Sequence, residues 1–159
     1  MLLLNHQLTT KVPSRAHTNM KLKFKKLHEQ AVLPTHSRQG DAGLDLTTVS
    51  SLFNPSKGQE EHYYGIAVEI PEGNVGLLFP RSSINKHDVR LSNSVGVIDS
   101  SYRGEIKAVF DLKGSGDSYT VGDRTAQLVI VPFVSCVTEW SESLTDTDRG
   151  QGGYGSTGK

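Results

Sequence analysis

The stretch AQLVIVPFV, residues 126–134, is an almost unbroken run of apolar residues, and it carries most of the information about the fold. A run of this kind is typical of a strand that is buried on both faces. The stretch EIKAVFDL, residues 105–112, instead alternates apolar and polar side chains, which indicates a strand with one buried face. The stretches YGIAVEIP, residues 64–71, and VGLLFP, residues 75–80, also have strand character.

Turn-forming residues separate these stretches. Gly, Pro, Asn or Asp interrupts the chain at intervals of about 8–12 residues, a spacing typical of short strands in an all-β domain. No segment keeps a helical period over the roughly 10–12 residues that are needed to identify a helix. The sequence therefore predicts an all-β domain, built as a sandwich or as a jelly-roll-like barrel.

The bulk composition narrows the classes of function. The chain has 159 residues, with 17 basic and 17 acidic side chains. This length favours one domain, and the balanced charge gives no overall field that would attract nucleic acid or an anionic membrane. No apolar stretch approaches the roughly 20 residues that cross a bilayer. We expect a protein of the cytoplasm or nucleus that binds neither nucleic acid nor a membrane.

The single cysteine, Cys136, lies within the apolar stretch VIVPFVSCV. One cysteine excludes an internal disulfide framework and a multi-cysteine metal site. Reactive thiols need an exposed, electropositive setting. The sequence therefore predicts a buried structural thiol at this position.

The N-terminal part of the chain is basic, and Glu29 is its first acidic residue. We expect residues 1–19 to be a disordered extension, or a sequence upstream of a true start at Met20. An organellar transit peptide is the alternative, because such leaders are rich in basic and hydroxyl residues and poor in acids. We favour the extension, since the evidence for targeting is only compositional.

The C-terminal stretch GGYGSTGK, residues 152–159, contains glycine spacings like those of phosphate-binding loops. Those loops need a helix after the glycines, and the sequence supplies no residues for one after Lys159. Glycine N–H groups, hydroxyls and an aromatic ring are nevertheless suited to a nucleotide. The sequence favours a mobile tail that folds over a nucleotide bound elsewhere.

Five short polar segments interrupt the strand pattern, and each would pass for an ordinary turn if it stood alone. In chain order they are DAGLDL (41–46), PRSS (80–83), NSVGVIDSSYRGE (93–105), GDRTAQL (122–128) and RGQGGYGSTG (149–158).

Taken together, these segments carry the groups that a nucleoside triphosphate requires. Asp45 and Asp99 supply carboxylates for a magnesium shell and for a general base. A hairpin over residues 93–102 would offer backbone groups, Asn93 and Tyr102 to a base and a sugar. Guanidinium groups that suit a polyanion stand at Arg81, Arg103, Arg124 and Arg149. These residues predict a Mg²⁺-dependent nucleotide phosphohydrolase or a nucleotide-binding protein.

In this order and spacing, the five segments resemble the five motifs of the trimeric dUTPase family, over roughly residues 21–158. GVIDSSYRGE, GDRTAQL and RGQGGYGSTG are specific signatures, whereas PRSS alone would be weak. The resemblance implies an all-β fold of the β-clip or distorted jelly-roll type, which assembles as a homotrimer with three sites at subunit interfaces. It also implies that residues 20–146 form the barrel and that residues 147–159 form a mobile lid, which closes over a neighbouring subunit's site.

Members of this family hydrolyse dUTP to dUMP and pyrophosphate, which limits uracil incorporation into DNA and supplies dUMP for dTMP synthesis. The resemblance implies that Asp99 is the general base for a water that attacks the α-phosphorus in line with the leaving pyrophosphate. The same carboxylate would hold the 3′-hydroxyl, and Tyr102 would lie under the sugar and exclude a 2′-hydroxyl. Mg²⁺ would be held mainly by the phosphates and by waters, one of them anchored by Asp45.

The resemblance assigns the remaining contacts motif by motif. Asn93 and the backbone of residues 93–98 would read the uracil edge. Ser82, beside Arg81, would lie near the α–β bridging oxygen, and Gln127 would lie near the α-phosphate.

In the tail, Tyr154 would stack on uracil, while Arg149, Ser156 and Thr157 would hold the γ-phosphate. The complete set of implied substrate-binding residues is Arg81, Ser82, Ser83, Asn93, Gly96, Val97, Ile98, Tyr102, Gln127, Arg149, Tyr154, Gly155, Ser156 and Thr157.

Three positions depart from the family's usual pattern, and none of them removes a functional group. Tyr154 stands where Phe is usual, and Ser101 stands where an acid is frequent. Thr125 stands where Ile is usual, and this position raises a question about local packing.

Two alternative functions remain. A dCTP deaminase shares the fold but needs a glutamate at the cytosine ring and lacks this lid. A regulatory protein that uses the nucleotide as a switch is the alternative from a different class.

Overall fold

The computed structural model describes residues 20–114 and 116–153. In this part of the chain the regular structure consists of ten strands and one short 3₁₀ helix, Ser82–Lys86. The strands are β1 (Lys23–Lys26), β2 (Leu44–Thr47), β3 (Ser50–Asn54), β4 (Gln59–Tyr63), β5 (Ile66–Glu69), β6 (Asn74–Pro80), β7 (Val89–Leu91), β8 (Gly96–Ile98), β9 (Lys107–Leu112) and β10 (Arg124–Pro132). The prediction of an all-β domain is confirmed.

The strands form two four-stranded antiparallel sheets and one two-stranded sheet. The first large sheet has the order β2-β10-β6-β8, and the second has the order β3-β4-β9-β7. Strands β1 and β5 form the small sheet. Strand β10 is central in the first sheet, because it pairs with β6 on one side and with β2 on the other.

The core lies between the two large sheets and is filled by side chains from both. Leu46 of β2, Leu128 of β10 and Phe110 of β9 are at most 1% exposed. The stretch EIKAVFDL alternates as predicted, with Ile106 buried and Lys107 exposed. Phe110 is the best-buried large side chain of this strand, so its truncation to alanine should cost about 3–5 kcal/mol of stability.

A chain of buried hydroxyl groups explains why a threonine is tolerated at position 125, where isoleucine is usual. Its side chain is fully buried, and its Oγ1 is hydrogen-bonded to the Tyr64 hydroxyl at 2.9 Å and to Thr48 Oγ1 at 3.1 Å. Thr48 Oγ1 also lies 3.3 Å from His62 Nδ1. Burial raises the pKa of Tyr64 and lowers the pKa of His62, so both stay neutral. A hydroxyl is therefore accommodated here because it has partners.

The apolar run in β10 is buried only in its first half. Ala126 and Leu128 are fully buried, whereas the side chain of Pro132 is exposed. After Pro132 the described chain forms no further strand, and we call residues 133–153 the arm. The prediction that this stretch is buried on both faces is thus wrong for its second half. Large apolar side chains of the arm are exposed at Phe133, Val134, Val137, Trp140 and Leu144.

Cys136 lies on this arm and is exposed, so the prediction of a buried thiol is wrong. An apolar stretch indicates that some surface covers it, but it does not say whether that surface belongs to the same chain. Among the described residues, no helix has the length and apolar character that a membrane span would require.

Candidate active site

The segment that contains Asp99 connects the two large sheets. Strand β7 pairs with β9, whereas β8 pairs with β6. The predicted hairpin over residues 93–102 is therefore wrong, because β8 is the one strand within that range and its partner lies elsewhere. A tight turn joins β7 to β8: Val95 N–H donates to Asn93 O at 2.6 Å, and Ser94 has a φ of 61°.

This change of sheet opens a cavity of about 470 Å³ beside β8. Gly96 is needed at its wall, since an added Cβ would lie 3.0 Å from Leu78 Cβ. Six of the predicted site residues line this cavity together: Asn93, Gly96, Val97, Ile98, Asp99 and Tyr102. The part of the wall that β8 and β9 supply is mostly apolar, from Val97, Ile98, Ala108 and Val109, and Lys107 is the charged residue within it.

Asp99 and Tyr102 are held by the tight turn that follows β8. The Tyr102 N–H donates to Asp99 O at 3.0 Å, and the Tyr102 hydroxyl donates to Glu105 O at 3.1 Å. The Tyr102 ring lies across Gly104, where a Cβ would collide with the ring hydroxyl. The Asp99 carboxylate is exposed and accepts no hydrogen bond from any residue that the structure describes. It is therefore available to a water or to a substrate hydroxyl.

Asp45 has the opposite surroundings, because its carboxylate is surrounded by donors. Arg81 donates from Nε to Oδ1 at 2.6 Å and from Nη2 to Oδ2 at 3.2 Å. Arg124 Nη1 donates to Oδ2 at 2.9 Å, and Ser37 Oγ donates to the same oxygen at 2.5 Å. We call Asp45, Arg81, Arg124 and Ser37 the Asp45 cluster. It borders polar cavities of about 740 and 430 Å³.

The strand register brings the Asp45 cluster together. Asp45 faces Gln127 across the β2–β10 pair, and Arg124 faces Thr47 in the same pair. Arg81 directly follows β6, whose last residue pairs with β10. The side chains of Asp45 on β2, Arg81 after β6 and Arg124 on β10 therefore lie next to one another, although they are distant in sequence.

Electrostatics keeps Asp45 ionised. Its partial burial would raise the pKa of the carboxyl, but the hydrogen bonds from Ser37 and Arg81 and the charges of the two arginines outweigh that effect. The net pKa of Asp45 is lower than its ordinary value of 3.8. The cluster therefore carries one fixed negative and two fixed positive charges at neutral pH.

The other predicted phosphate contacts lie next to the Asp45 cluster. Ser82 borders both of its polar cavities and begins the 3₁₀ helix, which also contains Ser83. Gln127 Nε2 donates to Pro80 O at 3.0 Å. Gly43 makes room for this amide, since a Cβ at that position would collide with Gln127 Oε1.

The predicted site residues thus form two groups within one chain. The cavity near Asp99 and the cavities near Asp45 share none of their lining residues among those described. Arg149 lies on the exposed arm, where its Nε donates to Gly152 O at 2.9 Å. The predicted contacts Tyr154, Gly155, Ser156 and Thr157 lie outside the described residues.

Ser37 is a member of the site that sequence reasoning missed. No motif includes it, and a serine in a loop gives no signal of its own. The sequence predicts only that the Arg124 guanidinium suits a polyanion, and it gives no sign that this side chain reaches Asp45. In the structure Asp123 accepts from Thr120, and Arg124 turns to Asp45.

The arrangement is compatible with a magnesium ion that is held through water. The described residues contain no group of three or more His, Cys, Asp or Glu side chains that could hold a metal ion by themselves. Asp45 Oδ1 accepts one hydrogen bond from within the protein, so it keeps one acceptor position for a water. Magnesium usually retains several waters and takes its other oxygens from substrate phosphates.

Comparison with known proteins identifies the family. The family model described as dUTPase matches residues 29–158. A deoxyuridine 5′-triphosphate nucleotidohydrolase of Crocosphaera subtropica is 38% identical over 141 residues, which cover 87% of this chain and 99% of that protein. The protein of the same name from Wolinella succinogenes is 41% identical over 142 residues, which cover 88% of this chain and 95% of that protein.

Solved structures show the same fold. A dUTPase variant of Staphylococcus bacteriophage 80alpha with dUpNHpp has a TM-score of 0.76 at 25% identity, covering 87% of this chain and 99% of that one. A dUTPase variant of phage phi11 of S. aureus, described for its coordination of a structural Mg(II) ion, has a TM-score of 0.66 at 26% identity and covers 78% and 98%. Matches of this extent in family, sequence and structure establish that the chain belongs to the dUTPase family.

Proposed function

We propose that this chain, a dUTP diphosphatase by its family, converts dUTP and water into dUMP and pyrophosphate with Asp99 as the general base. The observation that carries the proposal is the Asp99 carboxylate, which has no hydrogen-bond donor among the described residues and shares a cavity with Asn93 and Tyr102. The water oxygen bonds to the α-phosphorus while the bond to the α–β bridging oxygen breaks. Pyrophosphate leaves with that electron pair, and Asp99 takes the water proton.

The cavity near Asp99 would select the base and the sugar. Asn93 and the backbone of β8 would hydrogen-bond the uracil edge, and the apolar wall would leave no space for the 5-methyl group of thymine. Overpacking by one methyl group costs about 1–3 kcal/mol. Tyr102, held against Gly104, would lie under the deoxyribose and exclude a 2′-hydroxyl.

The Asp45 cluster would bind the triphosphate. Arg81 and Ser82 would contact the oxygens around the α–β bridge, with Gln127 on the α-phosphate and Ser83 nearby. Asp45 would anchor a magnesium-bound water through Oδ1. Bound Mg²⁺ would supply charge neutralisation and shape the triphosphate for in-line attack.

A homotrimer would bring the two groups of residues together. Support comes from the separate cavities and from the exposed apolar arm, which needs a covering surface. In this proposal residues 20–146, which include the ten strands and the first part of the arm, form the barrel domain, and residues 147–159 close over a neighbouring subunit's site. Tyr154 would stack on uracil, and Arg149, Ser156 and Thr157 would hold the γ-phosphate, with the backbone of Gly155 beside it.

In the cell the reaction would keep uracil out of DNA and supply dUMP for dTMP synthesis. We place it in the cytoplasm or nucleus, where those nucleotides are used. Neither a nucleic-acid nor a membrane partner enters the proposal, since 17 basic and 17 acidic residues balance.

The test is pyrophosphate release in the presence of Mg²⁺ from dUTP, dTTP, dCTP and UTP in parallel. We expect release from dUTP alone, because the cavity near Asp99 selects both uracil and deoxyribose. Equal release from all four would mean a general nucleotide pyrophosphatase and would sink the selection argument. Light scattering provides the test of assembly: a fully active monomer would contradict the shared site.

A further inference from the structure

Ser37 closes a ring of hydrogen bonds within the Asp45 cluster. Its Oγ donates to Asp45 Oδ2 at 2.5 Å and accepts from Arg124 Nη1 at 2.8 Å. The same Arg124 nitrogen donates to Asp45 Oδ2 at 2.9 Å. The single hydroxyl therefore acts as donor to the carboxylate and as acceptor for the guanidinium, which few other side chains could do at this size.

The local backbone fixes where this hydroxyl lies. Asp45 N–H donates to Thr35 O at 3.0 Å, so a bridge ties the loop before β2 to the strand itself. His36 Nδ1 lies 3.1 Å from Gly43 O and makes a second tie across the same loop. Ser37 directly follows these two anchored residues, and its position is set before any ligand arrives.

The ring of hydrogen bonds affects Arg81, because it fixes the orientation of the carboxylate that Arg81 binds. This arginine is gripped by Asp45 through Nε and Nη2, and its Nη1 lies 3.5 Å from the carbonyl oxygen of Arg124. A long arginine side chain loses rotamer freedom when it binds a phosphate, unless the protein has already ordered it. A carboxylate that Ser37 and Arg124 hold in one orientation supplies that order.

We infer that Ser37 is a positioning residue of the nucleotide site: it orients Asp45 and, through it, the Arg81 guanidinium for the triphosphate. The inference rests on the proposed role of Arg81 in binding phosphate. Ser37 acts through other side chains and does not itself contact the reacting atoms. The ligand class concerned is a nucleoside triphosphate, and a nucleoside monophosphate, which lacks the β- and γ-phosphates, should lose less affinity.

The experiment compares Ser37→Ala, Ser37→Thr and a matched control, Ser56→Ala. Ser56 is an exposed serine whose hydroxyl, among the described residues, is hydrogen-bonded only to Asn54 in the turn between β3 and β4. The measurements are the Kd of a non-hydrolysable dUTP analogue, the Kd of dUMP, and kcat and KM for dUTP. We expect Ser37→Ala to bind the analogue about tenfold more weakly, because Asp45 no longer holds the Arg81 guanidinium in one orientation before the triphosphate binds.

The other expected results separate positioning from simple folding support. Ser37→Thr keeps the hydroxyl and should bind the analogue like the native chain. In Ser37→Ala, dUMP should lose less affinity than the analogue, and Tm should fall only slightly through the loss of the hydrogen bond that helps to lower the pKa of Asp45. If alanine lowers the yield of folded protein, Ser37→Cys gives the same comparison with a weak donor of similar size. Unchanged analogue binding in Ser37→Ala would overturn the inference, as would an equal loss for dUMP.

A double variant provides the decisive control. In an Arg81→Ala background, Ser37→Ala should have no further effect on analogue binding, because its route to the ligand is gone. Full additivity would overturn the inference and leave the proposed function intact. If Arg81→Ala alone leaves analogue binding unchanged, the proposed phosphate role of Arg81 fails, and the inference fails with it.

Discussion

Asp99 and Asp45 belong to the same proposed site, yet their surroundings are opposite. Asp99 lies in a cavity with an apolar wall, and its carboxylate has no hydrogen-bond donor among the described residues. The carboxylate of Asp45 is only 12% exposed and accepts four hydrogen bonds, from Arg81, Arg124 and Ser37. A motif search treats both as acidic residues in a turn.

The difference teaches which carboxylate can move a proton. A group that already accepts four hydrogen bonds in an ion-pair network is stabilised as the anion and makes a poor base. A group with free acceptor positions can take a proton from a water placed against it. The two environments differ accordingly: Asp45 is paired with the guanidinium groups of Arg81 and Arg124, and in the proposed mechanism Asp99 is the carboxylate that accepts the proton.

The largest expected effect comes from removing the open carboxylate. Asp99→Asn should lower kcat by about 10²–10⁴, the usual contribution of a general base. Binding of a non-hydrolysable dUTP analogue should survive, because the amide keeps the shape of the side chain. Single-turnover kinetics and calorimetric binding would measure the two quantities.

The matched control for this variant is Asp117→Asn, an exposed aspartate that lines none of the cavities near Asp99 or Asp45. It should behave like the native chain. An Asp99→Asn protein with native kcat would remove the base from the mechanism, and an Asp117→Asn protein with the same loss would show that the effect is not specific.

The next effect tests whether the two regions serve one site across a subunit boundary. Asp99→Asn chains carry an intact Asp45 cluster, and Arg81→Ala chains carry an intact Asp99. If a trimer combines Asp99 of one subunit with Arg81 of the next, unfolding and refolding an equal mixture should restore about one quarter of the sites. Activity of the mixture above the mean of the two separate variants is the readout.

Each variant refolded alone is the control for that recovery. A mixture that never exceeds the mean of its components would mean that both residues act within one chain. The comparison would then concern two regions of one subunit, and the shared-site model would fail.

Much of the fold could be predicted from local patterns. The alternation in EIKAVFDL gives the buried face of β9, because a strand places successive side chains on opposite faces. The second half of AQLVIVPFV could not be predicted in this way. Hydropathy indicates that Phe133 or Trp140 needs a covering surface, but it carries no information on which chain supplies that surface.

The candidate site also contains one part that could be predicted from the sequence and one part that could not. Residues 93–102 could be identified because their motif is continuous in the chain, although the sheet pairing of β8 could not, since it depends on a strand elsewhere. Hydrogen-bonded partners in the Asp45 cluster are 8 to 87 positions apart in the sequence, and Ser37 lies outside the five polar segments, so no motif indicates it. Sequence reasoning identified chemical groups, and only the register of β2, β6 and β10 decided which of them meet.

A smaller effect should come from changing the contact between the Tyr102 ring and Gly104. Gly104→Ala would place a methyl group against the Tyr102 ring and displace it from the cavity near Asp99. We expect the preference for dUTP over UTP to fall by about tenfold, because the ring no longer closes the space for a 2′-hydroxyl. The ratio of kcat/KM for the two nucleotides is the measurement.

Gly114→Ala is the control for this change, since no atom of the described part of the chain lies within 4 Å of a Cβ at that position. It should leave the ratio unchanged. A Gly104→Ala protein that retains full discrimination would place the sugar selection somewhere other than Tyr102.

The smallest effect concerns Asp111, which resembles Asp45 in its contacts but belongs to none of the five polar segments. Its carboxylate accepts from Ser92 Oγ at 2.6 Å, Gln59 Nε2 at 2.8 Å and Arg90 Nε at 2.9 Å. The hydrogen bonds from Ser92 and Gln59 and the nearby Arg90 lower the pKa of Asp111 below its ordinary value of 3.8.

A lowered pKa fixes the sign of the pH effect. The contribution of Asp111 to stability is complete above about pH 4 and is lost as the pH falls through the lowered native pKa. Arg90 is largely exposed, so solvent screening keeps that contribution to about 1 kcal/mol or less. In Asp111→Asn the free energy of unfolding should therefore depend less on pH between about pH 5 and about pH 3, as measured by urea unfolding.

The kcat/KM of Asp111→Asn for dUTP at neutral pH should change by less than about twofold. Asp45→Asn is the comparison, because it should lower kcat/KM for dUTP clearly more than Asp111→Asn does. An equal loss of kcat/KM in the two variants would refute the special position of the Asp45 cluster beside the triphosphate.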